Sequence, residues 1–206
     1  MLVLAGQGGE HAKQVTQLVL ATYPVRVLIS TGFCGSLNGK TDVGDIVVYS
    51  RLAFDNGASE GLPAGELIAD PKLVEVASKI SGEKLCQTIT GRGLTVARVC
   101  AKPEEKRGLG KEFEADAVDM ESHSIGQITI ERKLPFIAVR AVFDNVRDDL
   151  SVLDDMTSGD KIVPRRVLLQ LGAHPSKAID LIRLLNNSRK ARQSLAIFLA
   201  KLIENI

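Results

Sequence analysis

Apolar positions along this chain fall into short runs separated by glycine turns and by segments with helical spacing. Leu2 to Ala5 is a short apolar run that ends in Gly6-Gln7-Gly8-Gly9, after which Ala12, Val15, Leu18 and Val19 recur at helical intervals. The pattern predicts strand, glycine turn, helix. Val25 to Ile29 is a second strand candidate, ending in Ser30-Thr31-Gly32-Phe33-Cys34-Gly35, and Asp45 to Tyr49 is a third, with Asp42 and Gly44 in the turn before it. Residues 54–66 are glycine-rich and polar and read as a surface loop. Pro71 to Ile80 has helical spacing, Leu94 to Cys100 reads as a strand, and Pro103 to Phe113 as a charged helix with proline in its first turn. Residues 117–120 are short and extended, a helix follows from Ser122, and Pro135 to Phe143 is the strongest strand in the chain. Alternating strands and helices, with long apolar strands, predict an α/β fold whose sheet is covered on both faces.

From Ser176 the pattern becomes purely helical. Ala178, Leu181, Ile182, Leu185, Leu195, Phe198, Leu199 and Leu202 form an apolar face, and Lys177, Arg183, Arg189, Lys190, Arg192 and Lys201 a basic one, with Asn186-Asn187-Ser188 as a candidate break into two helices. Such a segment either packs on the sheet or offers residues 176–206 as a peripheral surface for a membrane or a partner subunit.

Composition narrows the class of partner. The 206 residues are 45% hydrophobic and 25% charged, ordinary values for one globular domain. A net charge of +1, six phenylalanines, two tyrosines and no tryptophan leave no basic field or stacking platform for nucleic acid. Small molecules are the expected partners. Cys34, Cys86 and Cys100 are scattered and read as reduced cytosolic thiols, so a cytoplasmic location is expected. His11, His123 and His174 are too far apart in sequence for a zinc pair, and no metal site is expected.

Two phosphate motifs fail on spacing. Gly6-Gln7-Gly8 has His11 where a dinucleotide fingerprint needs its third glycine. Gly39-Lys40-Thr41 resembles the end of a P-loop, but Cys34 stands where that loop's first glycine belongs. Three other segments carry chemistry: Thr31-Gly32-Phe33-Cys34-Gly35, Val118-Asp119-Met120-Glu121-Ser122 and Arg140-Ala141-Val142-Phe143-Asp144-Asn145. Each follows or ends a predicted strand, and ligands in open α/β sheets gather at strand carboxyl ends. Taken singly, Glu121 is equally a helix-start charge and Asp144 a cap.

The ordered set resembles the superfamily of purine nucleoside phosphorylases and methylthioadenosine/S-adenosylhomocysteine nucleosidases. The resemblance lies in the glycine turn 31–35, the strand after Val43-Gly44-Asp45, the pair Met120-Glu121, and the run from Leu134-Pro135-Phe136 through Val139-Arg140 to Asp144. Val118 to Ser122 and the basic C-terminal helices are similar to the hopanoid-associated branch, which acts on adenosylated lipids. The resemblance implies a single domain over residues 1–206. Its architecture would be a three-layer sandwich, with a central mixed twisted sheet flanked by helices and C-terminal amphipathic helices as an extension.

It also implies cleavage of the N-glycosidic bond of a purine nucleoside, adenine foremost. Asp144 would be the general acid toward purine N7, with Glu121 on the ribose hydroxyls and Met120 against the sugar. Thr31, Gly32 and Phe33 would line the glycine turn, and Asn145 would steady Asp144. Arg140 reads as an internal ion-pair partner. No cofactor is implied, only water or phosphate as co-substrate. Phe33 and Ser30 stand where phosphorolytic relatives carry a hydroxyl and a basic residue, which favours water, with Lys40 as the remaining candidate for phosphate. A homo-oligomer is implied. Relatives begin with a further strand and loop, so the sheet is expected to have an open edge. A catalytically impaired nucleoside-binding or scaffold relative is therefore the alternative function.

Overall fold

A computed structural model of the chain describes residues 1–55, 65–81, 86–151, 157–158, 161–162 and 176–206, with 157–158, 161–162 and 176–181 described by backbone alone. The elements are α1 (Gly9–Thr22), β1 (Leu28–Ser36), β2 (Ile46–Asp55), β3 (Leu67–Ile68), α2 (Pro71–Ser78), β4 (Thr88–Val96), α3 (Pro103–Glu112), β5 (Ala117–Asp119), α4 (Ser122–Glu131), β6 (Phe136–Asp144), the small pair β7 (Thr157–Ser158) and β8 (Lys161–Ile162), and α5 (Ser176–Glu204).

The sheet is mixed, in the order β3-β2-β4-β5-β1-β6. β1 runs parallel to β6 but antiparallel to β5, and β2 runs parallel to β4 but antiparallel to β6. The pairing of β2 residues 46–49 with β6 residues 138–141 closes the order on itself. β6 is therefore no edge, whereas Leu28 to Cys34 of β1 pair with β6 alone among the described residues, and the open edge expected from the sequence lies along their other side.

β6 lies at the centre of this arrangement. Its odd positions Ile137, Val139 and Ala141 join Ile46, Val48, α2 and the α5 residues Ala191, Phe198 and Leu202 in one cluster. Its even positions Phe136, Ala138 and Val142 join Ala12 of α1 and Ile125 of α4 in another. Burial on both faces accounts for the continuous apolar run that made this strand the clearest in the sequence.

Several boundaries differ from the periodicity. Residues 1–6 form no strand, and Leu2 and Leu4 are exposed. A strand exists only by pairing, and none of the sheet ladders includes this segment. β1 runs on through Ser36, so the glycine turn 31–35 is strand backbone, not a turn. β4 begins at Thr88 and ends at Val96, six residues upstream of the reading at its start. Gly91 and Gly93 disguised it. Gly93 is needed there because the Tyr49 ring lies where a Cβ would stand. Of the expected surface loop, residues 56–64 lie outside the described residues, while 54–55 belong to β2.

α5 is one helix of 29 residues, unbroken at Asn186-Asn187-Ser188. Its buried side chains are Leu184, Ala191, Ser194, Phe198 and Leu202, whereas Ile182 and Leu185, assigned to the apolar face from sequence, are exposed. Leu195, Phe198, Leu199 and Leu202 of the expected apolar face lie on or against the sheet-side core, and the departure is confined to Ile182 and Leu185; the side chains of Ala178 and Leu181 lie outside the described residues. No helix among the described residues is long and apolar enough to cross a membrane.

Phe198 is wholly buried against the sheet. Phe198→Ala should lower unfolding free energy by about 3–5 kcal/mol, while Ile182→Ala should change it by no more than about 0.5 kcal/mol. Chemical denaturation of the two variants checks the assigned face, and equal effects would show that it is wrong.

Candidate active site

The strand that crosses the core also carries two charged residues, Arg140 and Asp144, both buried. Each determines part of the site. Arg140 donates from Nε to Asp119 Oδ2 at 3.0 Å, and from Nη2 to Ser30 Oγ at 2.9 Å and Ser122 Oγ at 2.7 Å. Gly32 lies directly under this guanidinium, where any Cβ would overlap it. Asp119 is saturated in turn. Its Oδ1 accepts from Thr95 Oγ1 at 2.9 Å and from the amides of Glu121 at 3.0 Å and Ser122 at 2.9 Å. Asp119 thus satisfies the opening amides of α4, the task that Glu121 offered to fill from sequence. Glu121 is left to accept from the Gly8 amide at 2.8 Å, which ties the loop before α1 to the start of α4.

Asp144 ends β6 beside Gly35, across an irregularity in the β1–β6 register. A Cβ at Gly35 would lie 3.0 Å and 3.2 Å from its carboxyl oxygens, so glycine makes the room for this side chain. Asp144 Oδ2 accepts from Lys106 Nζ at 2.5 Å, and Oδ1 makes no hydrogen bond among the described residues. Burial raises the Asp144 pKa to about 6; the Lys106 ammonium pulls the other way, and Asp148 adds to the rise. A carboxyl in this state holds its proton close to neutral pH.

Lys106 was invisible as a site residue in the sequence, where it sits in the charged run Pro103-Glu104-Glu105-Lys106-Arg107. It is wholly buried. The available signal was spacing: Lys106 shares a helical stripe with Leu109 and Phe113, which pack on the core beneath α3.

The other candidates separate into two groups. Met120 and Glu121 are half-buried at the junction of β5 and α4, beside the Asp119–Arg140 pair. Thr31 and Phe33 alternate along β1 with Ser30, Gly32 and Cys34 and so point to the opposite face. There the Phe33 ring stacks on Phe143 at 6.0 Å, and Phe143 packs toward Leu184 of α5. The Thr31 hydroxyl is buried without a hydrogen-bond partner among the described residues. The Asn145 amide turns away from Asp144, with Nδ2 donating to Asp42 at 2.5 Å, and only its backbone carbonyl reaches the site, as an acceptor for Lys106 at 3.1 Å. Lys40 is exposed and paired with Asp116 at 3.2 Å.

The three segments therefore do not all lie at the carboxyl ends of parallel strands. β5 runs against β1, with Ala117 opposite Ser36 and Val118 opposite Gly35, so its end leads back along β1 toward Arg140. Among the described residues no three His, Cys, Asp or Glu side chains are grouped to hold a metal ion.

This mixed sheet with its flanking helices is the architecture of a nucleoside-phosphorylase-type α/β protein. The chain belongs to the phosphorylase superfamily, whose family model matches residues 1–168. It is 27% identical over 156 residues to a 5′-methylthioadenosine/S-adenosylhomocysteine nucleosidase of Bacillus cereus, covering 70% of this chain and 67% of that protein. Among solved structures, a methylthioadenosine nucleosidase assignment from Weissella paramesenteroides superposes with a TM-score of 0.63 at 25% identity, over 69% of this chain and 68% of the other. The futalosine hydrolase of Helicobacter pylori superposes with a TM-score of 0.74 at 18% identity, over 98% and 78%, which shows the shared fold.

Removing the Arg140 charge should strand Asp119 inside the protein. Arg140→Met is expected to cost about 3–5 kcal/mol in thermal or denaturant unfolding, and a change below about 1 kcal/mol would show that the pair is not the internal tie described.

Proposed function

We propose that this protein hydrolyses the N-glycosidic bond of a purine nucleoside, with adenine as the departing base. The single observation that carries the reading is Asp144, a buried carboxyl with a pKa raised to about 6 in a chain of the phosphorylase superfamily. The names of its relatives, nucleosidases of methylthioadenosine and S-adenosylhomocysteine, support adenine as the base.

Breaking the bond between C1′ and N9 sends its electron pair to the base and leaves positive charge on the ribose. A proton delivered from Asp144 to N7 neutralises the developing charge on the base. Water adds to C1′, and the proton it releases restores Asp144. Nucleoside and water become base and free sugar, with no net change in the protein. Glu121, whose carboxylate accepts from the Gly8 amide, would receive hydrogen bonds from the ribose hydroxyls in this reading, with Met120 beside it as a flexible apolar surface for the sugar.

Water is favoured over phosphate because Ser30 stands where a phosphate-binding basic residue would be, Lys40 is exposed and paired with Asp116, and the Phe33 side chain offers no donor. By resemblance to the hopanoid-associated branch, the 5′ substituent extends to bulky, lipid-linked groups.

Asp144→Asn keeps an oxygen for Lys106 but cannot give up a proton. Base release should fall by about 10²–10⁴-fold with the fold retained in circular dichroism, and unchanged turnover would refute the assignment. The donor must be protonated, so activity should be full in mild acid and decline as pH rises through about 6. The folded state also holds this proton more tightly than the unfolded chain does. The group's contribution to stability is therefore full below about pH 4 and lost as pH rises through its folded pKa. A pH–rate profile rising through that range would contradict Asp144 as the acid.

A further inference from the structure

We propose that Lys106 is a positioning residue for this reaction: it holds Asp144 by one carboxyl oxygen, leaves the other to carry the transferable proton, and balances the carboxylate left behind. The inference rests on the reading of Asp144 as the proton donor.

The geometry is specific. Lys106 Nζ donates to Asp144 Oδ2 at 2.5 Å, to the Asp148 carbonyl at 2.8 Å and to the Asn145 carbonyl at 3.1 Å. Three N–H bonds meet three acceptors, and only the ammonium form supplies all three. A lysine wholly buried at the inner face of a helix is expensive in solvation unless its charge is matched. The two carbonyls alone would make it a strut between α3 and the turn after β6. The carboxylate at the shortest distance adds a function that a strut does not need.

Other groups face the pair from every side. Cys34 of β1 and Cys100 of the segment before α3 interact electrostatically with Asp144, and burial pushes both thiols upward, Cys100 to about 12. Asp148 adds negative charge, and its own carboxylate is tied to the Asn145 amide at 2.8 Å and to Arg183 of α5 at 3.5 Å. Lys106 is thus the cation in direct contact with Asp144. When the proton moves from Oδ1 to N7 and the pair of the C1′–N9 bond moves onto the base, the carboxylate appears in a buried site already facing Asp148. The ammonium stabilises that product of proton transfer more than the neutral acid, and so favours the transition state over the ground state. Lys106 itself gains and loses no proton.

The test compares the full chain with Lys106→Met, using methylthioadenosine as substrate and ¹³C-carboxyl aspartate labelling, with the Asp144 signal assigned by its loss in Asp144→Asn. Two results are expected in Lys106→Met. The Asp144 midpoint moves up by about one pH unit or more. The low-pH plateau of kcat falls by about 10-fold or more, while the alkaline limb moves to higher pH with the carboxyl. A purely structural lesion would lower the plateau without moving the limb, and that result, or an unmoved carboxyl midpoint, overturns the proposal. Should the wild-type chain release no base, the hydrolase reading falls by itself. The carboxyl midpoint then still decides whether Lys106 governs Asp144. If Lys106→Met does not fold, the wild-type Lys106 ¹⁵Nζ signal serves. It should shift with the same midpoint as the Asp144 carboxyl, and a flat signal across that range overturns the contact.

Discussion

The constraint on which this structure depends is that β6 takes two charges into an interior built from apolar side chains. Arg140 and Asp144 lie on a strand covered on both faces, and both are more than nine-tenths buried. A buried charge is tolerable only when paired and hydrogen-bonded. Meeting that requirement recruits Asp119 from the end of β5 and Lys106 from α3. It also fixes the small residues beside them. Gly32 lies under the guanidinium, Gly35 leaves room for the carboxyl, and Ser30 and Ser122 complete the hydrogen bonds.

The two pairs behave differently. Asp119 and Arg140 are each hydrogen-bonded to several partners, which suits a fixed tie between β5, β6 and the start of α4. Because Asp119 serves the α4 amides, Glu121 is released from capping and points instead to the Gly8 amide. Asp144 has one oxygen engaged and its pKa raised to about 6, so it can hold and release a proton near neutrality. One ion pair holds the frame in place, and the other supplies an acid. Both pairs lie along β1, with Arg140 over Gly32 and Asp144 against Gly35, where Val118 of β5 also packs.

The fold class and the family were legible because they rest on order along the chain: the apolar run of β6, the Met120-Glu121 pair and Asp144 at the strand end. What could not be read has physical causes. Lys106 looked solvated, since its neighbours Glu104, Glu105 and Arg107 are charged, and only the packing of α3 turns it inward. Gly91 and Gly93 hid the start of β4 because a glycine inside a strand is indistinguishable from a turn until the Tyr49 ring over it is known. Leu2 to Ala5 has a strand's composition, but composition cannot provide a neighbour to pair with. On α5 the second half of the apolar face was legible, with Leu195, Phe198, Leu199 and Leu202 on or against the core, whereas Ile182 and Leu185 have the same helical spacing but are exposed.

Incubating the chain with methylthioadenosine, with and without phosphate, and separating the products by chromatography tests the central claim most directly. Adenine and free methylthioribose are the expected products, at a rate that phosphate leaves unchanged. Sugar phosphate among the products would contradict water as the nucleophile. Absence of released base from methylthioadenosine, adenosine and inosine alike, in a folded preparation, would contradict the assignment of Asp144 as the acid of a purine nucleosidase.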